Sequence, residues 1–213
     1  MQRETVSSGD RRLVGGILLI GCIIQLTAAS LVDPKVFLSP DPLVKLQGIA
    51  RKKTGWAGQA VLFPVAFAIV TSGFGLLARL LRGPARWWAI VATGMSALST
   101  LLWLPLTIGR LRLRDEVDQR IQTYQPGTEV DLAGGFGRAF WPYTWAALTS
   151  IASGALALRV SGLGRRTGAG VFLCSVILPA TVVSRWRDWP PFASYLLAGS
   201  MGIQLLLRRD GRR

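Results

Sequence analysis

The sequence predicts an all-α fold: a polytopic integral membrane protein built as a six-transmembrane-helix bundle, with short amphipathic segments in two long outer loops. Three observations carry this prediction. Half of the 213 residues are hydrophobic and only 17% are charged. The charges gather between long apolar stretches, where a soluble domain of this length would spread them over its surface. Those stretches approach the roughly 20 residues that a helix needs to cross a hydrocarbon core. The chain is read as a single membrane domain, residues 1–213.

The first predicted span, 13–32, is uncharged and follows Arg11 and Arg12. A basic pair before an apolar run also suits a signal peptide, and Leu19-Ile20-Gly21-Cys22 resembles a lipobox. The residues after Cys22 stay apolar, so the expectation is a retained helix. The first outer loop, 33–58, contains Asp41-Pro42, a good N-cap followed by proline at the first helical position. Leu43, Leu46 and Ile49 follow at three-residue spacing. Arg51, Lys52 and Lys53 then precede Gly55, which suits a helix end. The expectation is a short amphipathic helix on the membrane surface, with Arg51, Lys52 and Lys53 as candidate lipid-headgroup contacts.

The second and third spans, 59–80 and 87–108, are apolar apart from Arg79 near an end. The second outer loop, 109–138, opens with Leu113, Val117, Ile121 and Tyr124 on one helical face. Glu116 stands four residues before Arg120, a favourable helical ion-pair spacing. The third helix is therefore expected to continue past the bilayer, until Pro126-Gly127 forces a turn. Three further spans are expected at 139–158, 167–184 and 192–207. Pro64, Pro105 and Pro179 fall inside spans, where neighbouring helices or Ser and Thr hydroxyls must compensate the lost backbone bond.

Orientation follows from arginine density. With the N-terminus inside, the short inner segments carry Arg11, Arg12, Arg79, Arg82, Arg86, Arg159 and the C-terminal arginines, whereas the outer loops dilute theirs. Both termini are expected in the cytoplasm of a bacterial inner-membrane protein. Trp56, Trp103, Trp141, Trp145, Trp186 and Trp189 lie near outer ends, with Trp87 and Trp88 at an inner end. This placement reads as an aromatic belt. Echoes such as Ser72-Gly73 before Leu80-Leu81-Arg82, and Ser153-Gly154 before Leu158-Arg159, hint at repeated hairpins. Their small residues would let helices approach closely.

The absence of histidine excludes His-ligated haem, His-containing zinc sites and Ser-His-Asp chemistry. Two cysteines, Cys22 and Cys174, make no disulfide framework and no Cys-rich metal centre, and both are expected to be buried structural thiols. No ionisable residue lies near the middle of a predicted span, where such groups usually mark function. The expectation is therefore no catalytic residue, no cofactor and no metal site. The second outer loop is the most polar part, and Arg114, Asp115, Glu116, Asp118, Glu129, Asp131, Trp141 and Tyr143 form the candidate partner or ligand surface.

The formal net charge of +14 reads as orientation and attraction to anionic lipid headgroups. Nucleic acid is not an expected partner, because the inner arginines sit in short turns and tails. The leading expectation is an accessory subunit or scaffold that docks another membrane protein or a second copy of the chain. The alternative is a small transporter or channel for an uncharged or lipid-like solute. An intramembrane enzyme ranks third. It would need one of the loop acids folded back over a pocket near Trp141 and Tyr143.

Overall fold

The computed structural model describes residues 6–164, 168–177 and 190–208. Among the described residues every regular element is helical. In chain order these are α1 (Ser8–Ser30), α2 (Lys35–Leu38), α3 (Pro42–Arg51), α4 (Lys53–Leu80), α5 (Gly83–Gln122), α6 (Phe140–Val160), α7 (Gly168–Ile177) and α8 (Pro190–Leu207). A 3-10 turn, Gly137–Ala139, leads into α6. Among the described residues α1, α4 and α5 are long and apolar enough to cross a membrane.

Local chemistry explains the ends. Ser7 caps α1, its hydroxyl accepting from the Asp10 backbone N–H at 3.1 Å. The Asp33 carboxylate accepts from Lys35 N–H at 2.9 Å, turning the chain into α2. Asp41 caps α3 through Leu43 N–H at 2.8 Å, with Pro42 behind it, as the sequence implies. The expected stop at Gly55 is displaced. The break falls at Lys52, whose φ/ψ of −132°/50° separates α3 from α4, and Gly55 lies inside α4. Only a residue without a Cβ fits there, because a methyl group would meet the Leu31 carbonyl oxygen. The first outer loop is thus mostly helix, and α4 begins six residues earlier than the predicted span.

Pro64 and Pro105 sit inside continuous helices. Pro64 cannot donate to the carbonyl of Ala60, and the Thr107 hydroxyl of α5 donates to that oxygen at 2.9 Å. Pro179 lies outside the described residues.

Helix α4 packs on α1 and α5, α5 on α6, and α1 on α8, with a lighter α6–α8 contact. Small residues set the close crossings. A Cβ on Gly15 would lie 2.8 Å from the Gly202 carbonyl oxygen, and one on Gly202 would lie 2.7 Å from that of Gly15. Gly154 fits against the Phe74 ring. Side-chain hydrogen bonds add to this: Thr71 and Ser96 hydroxyls meet at 2.8 Å, and Ser150 donates to the Ala92 carbonyl at 2.9 Å. Thr100, Thr144 and Ser175 bond back to carbonyls of their own helices.

The two ends of the bundle differ. Arg11 at the start of α1 reaches the end of α8, donating to the Leu205 carbonyl at 3.2 Å and the Arg208 carbonyl at 2.7 Å. Arg208 in turn donates to the Gly162 carbonyl at 2.7 Å. These bonds gather the arginine-bearing helix ends on one side. At the opposite end, α2 and α3 fold over the C-terminal stretch of α5, where Val36, Leu46, Ile49, Trp56, Leu113 and Val117 make a separate core.

This second core corrects the picture of α3 as a helix lying on lipid. Its apolar positions Leu46 and Ile49 are buried against the chain itself. The tryptophan belt is corrected as well. Trp56 and Trp103 are core residues, whereas Trp87, Trp88 and Trp145 are exposed and Trp141 is half-buried. Trp186 and Trp189 lie outside the described residues. Cys22 is buried but Cys174 is exposed, so the expectation of two buried thiols holds for Cys22 only.

Candidate functional site: an aromatic-walled cavity around Arg110

At 40 residues, α5 is about 60 Å long at 1.5 Å per residue. That is about twice the hydrocarbon thickness, so the continuation expected from Leu113, Val117 and Ile121 is present. The same face read backwards reaches Arg110 and Leu106, three and seven residues before Leu113. Leu106, Leu113 and Val117 are fully buried, and Arg110, inside the same stripe, is only 8% exposed. The helix thus carries a cation into the interior at a position outside the predicted span of 87–108.

Three aromatic faces surround that cation. The Arg110 Cζ lies 4.9 Å from the ring centre of Trp103, 5.0 Å from Trp56 and 5.8 Å from Phe37. Rings of this kind attract guanidinium through their negative faces. The Nη1 group donates to Gln59 Oε1 at 2.8 Å, and the Arg110 carbonyl accepts from the Trp56 indole at 2.8 Å. Gln59 is itself 1% exposed. Phe37 comes from α2, Trp56 and Gln59 from α4, and Trp103 from α5 itself, two turns earlier on the same face. The arginine therefore ties three elements together.

Beside it opens a cavity of about 530 Å³, within the usual size range of small-molecule sites. Its walls are mostly apolar: Ala29 and Val32 at the end of α1, Phe37 and Leu38 of α2, Phe63 of α4, Leu106 of α5 and Phe140 of α6. The polar groups on its surface are Arg110, Gln59, Lys45, Asp131, Trp141 and Tyr195. Phe63 and Tyr195 of this wall join Phe67, Trp103 and Tyr143 behind it in one aromatic cluster. The Trp103 and Tyr143 rings are centred 4.6 Å apart, and the Tyr143 and Tyr195 hydroxyls are 3.3 Å apart.

The segment from 130 to 137 closes one side. Asp131 accepts from Ala133 N–H through Oδ1 and from Gly135 N–H through Oδ2, both at 2.8 Å. Gly134, at φ +58°, lies directly on the backbone of Gly109, so no side chain fits at either glycine. That contact pins the loop to α5 one residue before Arg110.

Only part of the sequence-derived surface comes together here. Asp131 and Trp141 line the cavity, and Tyr143 lies behind its wall. The acids of the α5 extension are engaged elsewhere, on the exposed surface. Arg114 pairs with Asp115 at 2.6 Å, Arg120 with Glu116 at 2.8 Å, and Lys53 with Asp118. Glu129 is exposed. Of the headgroup candidates, Arg51 and Lys52 are exposed, whereas Lys53 is committed to α5. No group of three or more acids and cysteines among the described residues is arranged to hold a metal ion. Arg110, Gln59, Lys45 and Tyr195 are the site residues that the sequence reading did not single out. For Arg110 the signal was its place in the apolar stripe of α5.

Comparison with known proteins finds no matching family model, no matching curated protein and no matching solved structure.

Proposed function

We propose that the protein is a non-catalytic, multi-pass protein of a bacterial inner membrane that binds a lipid-like small molecule in the cavity beside Arg110. In this reading α6, α7 and α8 complete a set of six spans with α1, α4 and α5. The arginine-bearing end faces the cytoplasm, and the cavity belongs to the outer leaflet side. The observation that carries the proposal is the cavity itself: large enough for a ligand, apolar on most of its wall and polar at a few fixed points. A purely structural bundle has no need of such a space, because interiors are otherwise close-packed.

The test is retention of a small molecule after gentle extraction. Native mass spectrometry of the purified protein should show a bound lipid-like mass. Ala29→Trp, which fills the cavity from α1, should remove it while the protein stays folded. Equal retention by the filled variant sinks the proposal.

Docking of another membrane protein is a second reading, favoured by one observation. The α5 extension carries α3 and a charged outer face well beyond the apolar stretch of its own helix. Co-purification of a stable partner that is lost on charge reversal at Arg114 and Arg120 would support it.

A further inference from the structure

We infer that the molecule held in this cavity is an uncharged, mostly apolar compound with a hydrogen-bond-accepting carbonyl, a ketone or an ester, recognised by the side-chain amide of Gln59. The inference rests on the ligand-binding reading above and adds the chemistry of the ligand.

The orientation of one amide is the starting point. Arginine can only donate, so the atom of Gln59 that meets Arg110 Nη1 at 2.8 Å is the oxygen. The amide nitrogen takes the other position, and its N–H groups have no acceptor among the described residues. Gln59 is 1% exposed, and it lines the cavity. A buried donor without an acceptor costs free energy, and an occupant of the cavity can supply the missing acceptor. Arg110 serves here only to fix the amide. Its guanidinium is engaged by Gln59 and by three rings, and it is not counted as a ligand contact.

Two neighbours on the wall point the same way. The Trp141 indole can only donate, and it too has no acceptor among the described residues. Asp131 is the carboxylate on this surface, and both of its oxygens already accept backbone N–H groups at 2.8 Å. Gln59 and Trp141 thus offer donors while the acceptors of Asp131 are taken, which selects a ligand that accepts. Charge argues for a neutral one. Lys45 and Asp131 carry opposite signs, and most of the wall is apolar. An ionised ligand would surrender its hydration there, whereas a carbonyl needs one donor. The volume of about 530 Å³ is that of a site for one small molecule.

Three photoreactive probes with the same diazirine-bearing chain separate the possibilities: a methyl ketone, the hydrocarbon lacking the carbonyl, and the carboxylate. Each is presented to the full-length protein in vesicles of ether-linked phosphatidylcholine, which bring no ester carbonyl of their own. Labelled peptides are mapped and normalised to probe in the membrane. We expect the ketone to label cavity positions such as Phe63, Leu106 and Trp141 about ten-fold more than the hydrocarbon, the effect of one hydrogen bond to an otherwise unpaired buried donor. It should also exceed the carboxylate. The infrared band of an isotope-labelled ketone carbonyl should move to lower frequency on binding.

Gln59→Glu keeps an oxygen for Arg110 and removes the amide N–H groups. It should abolish the ketone preference and the band shift while hydrocarbon labelling stays. Equal cavity labelling by ketone and hydrocarbon, or an unshifted carbonyl band in the unsubstituted protein, overturns the inferred acceptor and leaves the binding proposal standing. Both readouts decide even where Gln59→Glu does not fold. Carboxylate labelling ahead of the ketone overturns the neutral ligand. A preference and band shift unchanged in Gln59→Glu overturn the assignment to this amide. Labelling confined to outward residues such as Leu101 and Leu104 overturns the binding proposal itself.

Discussion

Arg11 and Arg110 are both buried, at 4% and 8% exposure, yet they solve the problem of an interior cation in different ways. Arg11 uses its N–H groups on the last carbonyls of α8, where the helix dipole is negative and acceptors are left over. Its surroundings are closed by the Gly15–Gly202 crossing. Arg110 donates to a side-chain amide and lies over three rings beside an open space. The first arrangement fastens two helices. The second holds a charge at the edge of a cavity. Burial of an arginine therefore does not itself mark a site, and what lies around the guanidinium decides.

Substitutions separate the two arrangements. Gly109→Leu would drive a side chain into the Ala133 carbonyl and should detach the 130–137 segment from α5. A loss of about 3 kcal/mol or more is expected, beyond ordinary overpacking because the obstacle is backbone. Limited proteolysis should show new cleavage in that segment, while the arginine-rich end keeps its protection.

Arg110→Ala should cost about 2–4 kcal/mol, from the lost cation–π contacts and the Gln59 bond. Denaturant unfolding in detergent reads this, and a loss below about 0.5 kcal/mol would show that the rings do not hold the cation. Arg11→Ala should cost less, about 1–2 kcal/mol, and should leave ligand retention untouched. Equal ligand loss in the Arg11 and Arg110 variants would erase the distinction between the two ends.

Thr107→Val removes the donor to the carbonyl orphaned by Pro64, and about 1 kcal/mol should follow in the same unfolding measurement. Glu116→Ala should change stability by no more than about 0.5 kcal/mol, because the pair with Arg120 is exposed and helical. A larger effect there would give the α5 extension more weight than its contacts imply.

Much of the fold was legible in advance. The Asp41-Pro42 cap, the continuation of α5 past its apolar stretch and the turn at Pro126-Gly127 are local decisions, made by residues within a turn or two of one another. Hydroxyl compensation at Pro64 was expected in kind, although not its donor. The site was legible only at Asp131, Trp141 and Tyr143. Of the rest of that surface, Asp115, Glu116 and Asp118 pair with Arg114, Arg120 and Lys53 on exposed helix faces, and Glu129 is exposed. Trp56 and Trp103 looked like belt residues because depth along a helix is visible in sequence, while the side of the helix that packs inward depends on its neighbours.

The sequence by itself determined that the chain is helical, where its apolar stretches lie, and which ends carry arginine. These follow from hydropathy, capping and helix-breaking residues, all of which act over short distances. Only the tertiary structure decided that α3 packs on α5, that Arg110 turns inward between Phe37, Trp56 and Trp103, and that a cavity remains beside it. Those outcomes depend on contacts between residues far apart in the chain, such as Phe37 with Arg110 and Phe63 with Tyr195, and no local pattern encodes which distant ring will cover a charge.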